Sequence, residues 1–304
     1  MGRGGPKTLN KPPRGALFKP LLSPMETIET VANMRALAGR LRSKKGRLTL
    51  VPTMGALHAG HEAVIRAAVA AGAPVIVSVF VNPLSLGASE NYAGYPRSRE
   101  ADLALCGRLG AAAVFAPEAE EIYPRGFSTY VAEEAISKKL CGVSRPTHFR
   151  GVATLVVKLL NIVGPDRLFV GQKDPQHAAV IRKVAADLNY TLELVVVPTV
   201  READGLAVGV RNGELTPALR QESLAINASL RKAAEMVESG VRSSDRLVAE
   251  ATHILGTNNR VRVIYVSIVD STTMETIREV VPGRTLMCIA AWVNEIRLTD
   301  NAVL

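Results

Sequence analysis

The sequence predicts an α/β protein: a Rossmann-like, doubly wound parallel sheet followed by a smaller C-terminal α+β domain. Three observations carry this. Short apolar, β-branched runs alternate with helical stretches through the first two-thirds of the chain, the pattern of a parallel sheet with crossover helices. The first two runs break off in turn sequences, Thr53-Met54-Gly55 and Asn82-Pro83. Beyond Pro198 the texture changes to two helical segments and then strand-like ones.

The elements follow in order. Residues 48–52 read as a buried strand meeting a tight glycine turn. Residues 60–71 have helical composition, with Val64, Ile65 and Ala68 at helical spacing. Residues 75–81 are a second β-branched run, 99–109 a helix and 112–115 a third strand. Residues 151–163 form a strong helix and 167–170 a fourth strand; 176–188 are helical and 192–197 a fifth strand. After the change of texture, 215–240 and 243–255 read as helices, 261–269 and 285–293 as strands, and 295–298 as a short further strand. The expected organisation is a basic tail at 1–25, a Rossmann-like domain at 26–199 and a smaller α+β domain at 200–304. Ligands of such sheets sit outside the carboxyl ends of the strands, so the loops after each strand are the informative ones.

Charge and composition bound the function. The chain has 304 residues and a net charge of +9. Arg3, Lys7, Lys11, Arg14 and Lys19 stand in a first segment with no acid, leaving only +4 for the rest. The basic balance is thus partly a tail property and gives little support to nucleic-acid binding. Five prolines in that tail (Pro6, Pro12, Pro13, Pro20, Pro24) predict an unstructured extension. It has no apolar core of a secretory leader; its lack of acids also suits a transit segment, a less plain reading than a simple extension. No apolar run nears the roughly 20 residues of a membrane span. Cys106, Cys141 and Cys288 are far apart and form no CxxC pair, which suits a reducing cytoplasm and small buried thiols.

Two strand ends could carry chemistry. In Pro52-Thr-Met-Gly-Ala-Leu-His58-Ala-Gly60-His61 a strand enters a glycine turn and a helix starts beside two histidines. Open N–H groups and the dipole at such a start suit phosphate, and two imidazoles can donate to phosphate oxygens as charge develops. In Phe169-Val-Gly171-Gln-Lys173-Asp174, Lys173 offers a point charge for a triphosphate and Asp174 can orient it or a metal. A lone histidine near a turn is usually a surface residue, but HxGH directly after a strand-turn is much more specific; the Lys-Asp turn alone is mostly a solvated turn, and at a second strand end of the same sheet it joins HxGH as a nucleotide site. Asn82 is the polar tip of an otherwise apolar strand, a position where a plain Asn-Pro turn would normally suffice.

HxGH after a first strand resembles the nucleotidyltransferase superfamily that includes class I aminoacyl-tRNA synthetases. The wording is narrower still. PTMGALHAGH, SVFVNP, YPR at 95–97, RPTHFRGVATLVVKLLNIVGPDRLFVGQKD at 145–174, PTVREADGLA at 198–207 and RLTDN at 297–301 together resemble the pantothenate synthetase (pantoate–β-alanine ligase) family. The resemblance runs over essentially everything but the tail. It implies a dimer of two-domain subunits in the cytoplasm that uses ATP and Mg²⁺ to activate a carboxylate as an acyl-adenylate, after which an amine attacks. It implies catalytic roles for His58, His61, Lys173 and Arg211. It further implies ATP contacts from Met54, Gly55, Gly171, Asp174, Val200 and Gly209, and acid contacts from Met54, Asn82, Ser85, His148 and His177. It assigns no metal ligands, no nucleic acid and no membrane.

The chain also departs from the family pattern. Ser85 stands where the family has a pantoate-binding glutamine, and His177 where it has a second. Gly209-Val210 replaces two serines before Arg211-Asn212. The adenylation motifs are intact while the selectivity positions are rewritten. Three readings follow: a ligase making pantothenate or a close relative, a diverged copy joining a different acid or amine, and a non-catalytic binding protein. The intact histidines and lysine argue against the third.

Overall fold

The computed structural model describes residues 25–86 and 92–304, so the expected basic extension, apart from Met25, lies outside the described residues. Two elements precede the first expected strand: β1 at Glu26–Ile28 and α1 at Val31–Lys45. The apolar positions of α1, Met34, Leu37 and Ala38, are interrupted by Arg35, Arg40, Arg42, Lys44 and Lys45, which blurs the stripe that marks a helix. Its ends are conventional: Thr30 Oγ1 accepts the Asn33 N–H at 3.3 Å, and Gly46 closes it at φ +76°.

The next elements keep the expected order: β2 at Thr49–Thr53, α2 at Ala59–Ala70, β3 at Val75–Val79, α3 at Arg99–Leu109 and β4 at Ala113–Phe115. Two short helices, α4 at Ala119–Ile122 and α5 at Cys141–Ser144, precede α6 at His148–Val163. Then come β5 at Arg167–Gly171, α7 at Pro175–Asp187 and β6 at Glu193–Val197. The strands pair in parallel in the order β1-β4-β3-β2-β5-β6.

Alternation along the strands builds two cores. Leu50, Ile76, Phe115 and Leu168 face α1, α6 and α7, while their neighbours Val51, Val77, Val114 and Phe169 face α2 and α3. Both faces are covered, so the strands read as continuous apolar runs rather than alternating ones. From β2 the chain winds one way to β3 and β4 and later returns to the other side as β5 and β6. The reversal falls between β2 and β5, where a crevice opens at the carboxyl ends.

The C-terminal part packs α8 (Pro217–Glu238) and α9 (Ser244–Gly256) on an antiparallel sheet of β7 (Val261–Asp270), β8 (Thr285–Val293) and β9 (Ile296–Val303). On β8, Met287, Ile289 and Ala291 join the core under α8 and α9, while Leu286 and Cys288 join the main core of the parallel sheet. The two parts thus share apolar surface. β9 is longer than the expected 295–298, because its polar residues Thr299, Asp300 and Asn301 are strand residues that serve the junction. Burial raises the thiols of Cys106 and Cys288 to about 12. Cys141 departs from the expectation of buried thiols: it is half-buried at the junction, 3.0 Å from the Tyr265 hydroxyl and 3.4 Å from Arg297 Nη2.

α6 starts three residues before the expected 151. Gly151 lies inside it because a Cβ there would stand 2.2 Å from the Leu84 carbonyl oxygen and 2.5 Å from the Ser85 nitrogen. The helix therefore rests directly on the backbone after β3. Gly151→Ala should destabilise the fold by about 1–3 kcal/mol through overpacking, read as a lower urea midpoint at unchanged slope. An unchanged midpoint would mean that this contact gives way freely.

Candidate active site

The crevice between β2 and β5 gathers both motifs. β2 ends at Thr53; Gly55 and Ala56 then take left-handed conformations at φ +79° and +49°, and His58 is the N-cap of α2. The two histidines cap the helix reciprocally. His58 Nδ1 accepts the Gly60 N–H at 3.1 Å, and His61 Nδ1 accepts the His58 N–H at 3.3 Å. A Cβ on Gly60 would meet the His58 ring at 2.9 Å, so only glycine fits beneath it. The expectation of open N–H groups at this helix start is therefore corrected in part: the histidines occupy two backbone donors of the turn. Their ring centroids lie 4.1 Å apart. Because each Nδ1 accepts, its lone pair is taken and the neutral ring carries its proton on Nε2.

Electrostatics keep both rings neutral. Burial, then Lys173, lowers His58 below the usual imidazole range. Burial, then His58, lowers His61 to about 3. The pair therefore acts as neutral Nε2–H donors.

The first turn of α3 supplies a residue that the motif search missed. Asp102 is 3% exposed. Its carboxylate accepts the Ala56 N–H at 2.9 Å, the Leu57 N–H at 2.8 Å and the Ser98 hydroxyl at 2.9 Å. In the sequence it is one acid near the start of a helix, with nothing to tie it to residues 54–58.

Across the crevice, β5 delivers Gly171, Lys173 and Asp174, and α7 begins with Pro175. The Lys173 ammonium makes no hydrogen bond or ion pair among the described residues, and the side chain passes close to Gly209: a Cβ there would stand 3.3 Å from Lys173 Cε. The segment after Val200 thus approaches the Lys173 side of the crevice through a residue without a side chain. Glu202, from the same segment, raises His58 slightly against the larger lowering effects. Asp174 is exposed, and its Oδ1 accepts from the Thr299 hydroxyl at 3.4 Å. Burial would raise its carboxyl, but Lys173, then His177, His148 and Arg145, hold it below the ordinary range. Asn301 Nδ2 donates to the carbonyls of Gln172 and Lys173 at 2.9 and 3.0 Å, and Arg201 pairs with Asp300 at 2.6 Å. Asn301 ties β9 to the lysine loop and the Arg201–Asp300 pair ties it to the segment after β6; all three are absent from the sequence reading as site residues.

The expected acid contacts divide. Met54 and His177 lie at the crevice. Asn82 is buried and engaged: Nδ2 donates to the Gly151 carbonyl at 2.9 Å, and Oδ1 accepts from Leu84 N and Tyr123 hydroxyl. Ser85 is also buried, its hydroxyl donating to the Asn82 carbonyl at 3.0 Å. The tight turn over Gly151 draws this hydroxyl inward. His148 Nδ1 donates to the Ser85 carbonyl at 2.7 Å, and Arg145 Nη1 lies 3.4 Å from His148 Nε2. Burial, then Arg145, lowers His148 to about 4. His177, lowered by burial against the pull of Asp174, is the expected acid contact whose ring makes no hydrogen bond among the described residues. Arg211 Nη1 donates to the Arg297 carbonyl at 3.2 Å and so stands against β9.

A Rossmann-type sheet with an HxGH helix start on one side of its reversal and a Lys-Asp turn on the other defines an enzyme of the HxGH nucleotidyl-transfer class. A sequence model described as pantoate–beta-alanine ligase matches residues 26–303. A pantothenate synthetase of Moorella thermoacetica is 44% identical over 280 residues, covering 92% of this chain and 99% of that one. Pantothenate synthetase 1 of Bradyrhizobium diazoefficiens is 45% identical over 280 residues, covering 92% and 98%. The crystal structure of pantothenate synthetase from Thermus thermophilus superposes with a TM-score of 0.86 at 38% identity, covering 92% and 99%. That of a Francisella tularensis pantoate–beta-alanine ligase complexed with beta-gamma ATP and beta-alanine gives 0.73 at 27%, covering 92% and 97%. The chain belongs to the pantoate–β-alanine ligase family, whose members are ATP-dependent ligases.

Four histidines, His58, His61, His148 and His177, are held below the ordinary imidazole value of 6.5. Unfolded, they take up protons as pH falls through 6.5, whereas folded His148 and His61 do so only near 4 and 3. Their contribution to stability is therefore complete above 6.5 and lost progressively below it. The loss is at most about 1.4 kcal/mol per pH unit for each histidine, less where solvent screens the ring. Urea midpoints should fall between pH 7 and 5, and His148→Gln should flatten the fall. A level profile would show that the imidazoles titrate normally.

Proposed function

We propose that the protein joins pantoate, or a closely related hydroxy acid, to β-alanine or a related amine in two steps. In the first, a carboxylate oxygen attacks the α-phosphorus of ATP; the bond to the β-phosphate breaks, and pyrophosphate leaves. In the second, the amine attacks the acyl carbon, AMP leaves with the bridging oxygen, and the amine loses a proton. The observation that supports this reading is the pairing of two neutral Nε2–H donors on β2's side of the crevice with the Lys173 ammonium on β5's side.

In this reading His58 and His61 stabilise charge as it builds at phosphorus, and being neutral they do so as hydrogen-bond donors. Lys173 binds triphosphate as a compact charge. Met54, Gly55, Gly171, Val200 and Gly209 bring backbone or small surfaces to the nucleotide, and Arg211 reaches the triphosphate from the lid-like part. Among the described residues no three His, Cys, Asp or Glu side chains gather as a metal site. A magnesium ion held mainly by phosphate oxygens needs only one or two protein carboxylates, and Asp174, accessible and kept ionised, fits that donor set. When bound, the ion would neutralise phosphate charge. We also propose domains of 26–199 and 200–304, a homodimer, and a cytoplasmic location. The division of the sheets supports the first, and unpaired cysteines suit the last. Among the described residues no helix is long and apolar enough to cross a membrane.

His58→Ala and His61→Ala should fold normally but lose about 10²–10³ in ATP–pyrophosphate exchange. Lys173→Ala should impair ATP use strongly, with Lys173→Arg a poor rescue because a planar fork does not replace an ammonium. Near-normal exchange in these variants would remove the assignment.

A second reading, an acid other than unmodified pantoate, is favoured by His177. Its ring stands beside Asp174, and a bulkier acid or one with a further acidic group would suit it. His177→Gln should then shift selectivity toward pantoate. Turnover of pantoate and β-alanine by the unmodified enzyme at kcat/KM of about 10⁴ M⁻¹s⁻¹ or above would leave the plain pantothenate-forming reading standing.

A further inference from the structure

We infer that Asp102 is a positioning residue for the adenylation step: its buried carboxylate clamps the turn that aims His58 and His61. The inference rests on the proposed function and adds to it a residue outside both motifs.

The clamp is built from two elements distant in sequence. Asp102 sits in the first turn of α3, and Ser98 ahead of that helix donates its hydroxyl to Oδ1 at 2.9 Å. Oδ1 also accepts Leu57 N–H at 2.8 Å, and Oδ2 accepts Ala56 N–H at 2.9 Å. Gly55 N–H goes to Thr53 Oγ1 at 3.3 Å, and that hydroxyl donates to the Ser78 carbonyl at 2.8 Å. Three successive amides between β2 and the histidines are thus held by side chains.

The turn needs holding. Ala56 carries a Cβ at φ +49°, a conformation that non-glycine residues leave readily unless contacts fix them. Gly55, at φ +79°, lies so close that a Cβ would stand 3.1 Å from Asp102 Oδ2 and 3.2 Å from Val79. Two residues beyond this turn His58 becomes the N-cap, and its ring, locked to His61, depends on where the turn sets it down. A carboxylate can accept all three donors. An amide offers one acceptor oxygen and turns its NH₂ toward the remaining N–H, so Asp102→Asn breaks the clamp at nearly constant volume. Asp102 does not touch the reacting atoms; its effect passes through the turn to the imidazoles, which serve the first half-reaction and not the second.

The test compares the two half-reactions in the full-length enzyme. Asp102→Asn should lower ATP–pyrophosphate exchange at saturating ATP and pantoate by about 10- to 100-fold, with ATP affinity within about threefold, reflecting misplaced transition-state donors. Amide formation from supplied pantoyl adenylate and β-alanine should change less than about threefold. Ser98→Ala, which removes one support from Oδ1, should give a smaller loss in the same half-reaction, and it carries the test if Asp102→Asn does not fold. Exchange within about threefold of the unmodified enzyme, or equal losses in both half-reactions, would overturn the role of Asp102. An unmodified enzyme that catalyses no exchange with any hydroxy acid would instead remove the ligase reading, and this inference with it.

Discussion

β2 and β5 lie side by side although their crossover connections leave in opposite directions, and this reversal governs what the molecule can do. Between two strands that connect the same way, a helix packs over the sheet and closes the carboxyl edge. At the reversal no helix crosses, and the edge stays open. The turn after β2 and the turn after β5 therefore face one another across a crevice. The first supplies two imidazoles, the second an ammonium and a carboxylate. Neither turn holds a nucleotide motif of its own that would suffice; their apposition makes the site.

Within the crevice the charges are divided by burial and by hydrogen bonding. The histidine pair is enclosed and has a lysine beside it, so protonation is doubly disfavoured. Using Nδ1 as an acceptor for backbone amides then leaves Nε2–H as the outward group of each ring. A cationic pair would bind pyrophosphate more strongly in the ground state. A neutral pair leaves the ground state less favoured and still donates as charge grows in the transition state. The positive charge in the crevice instead resides on Lys173, which is also the largest influence holding the neighbouring Asp174 below the ordinary carboxyl range.

The C-terminal part is joined to this crevice in two ways. Leu286 and Cys288 extend the apolar core across the junction, which sets the two parts against each other without specifying a register. Polar residues of β9 supply the register: Asn301 bonds the carbonyls on either side of the Gln172–Lys173 peptide, and Asp300 holds Arg201. The loop carrying Lys173 is thus shaped partly by the far end of the chain. Gly209 approaches the same lysine, so the segment that enters the C-terminal part also borders the site.

Much of this was legible in the residues themselves. Runs such as 75–81 and 167–170 are apolar because both faces of a parallel strand are buried, and that constraint is local enough to read. The HxGH and Lys-Asp turns were legible because their residue types stand at fixed spacing directly after apolar strands. α1 was not, because its cations dilute the stripe, and the full length of β9 was not, because its polar residues answer to partners far away in sequence. Asp102 belongs to the same class: a carboxylate in the first turn of a helix usually serves the helix dipole, and only the folded chain brings the turn before His58 onto it. Asn82 and Ser85 show the converse. Their residue types suit a ligand, and the bonds they make within the fold, to the Gly151 carbonyl, Leu84 N–H, the Tyr123 hydroxyl and each other's segment, could not be read from them. Strand burial and phosphate chemistry act over a few residues and leave a signature in sequence; which polar group meets which across the molecule is decided by tertiary packing, since a buried donor or acceptor must be satisfied by whatever the fold places beside it.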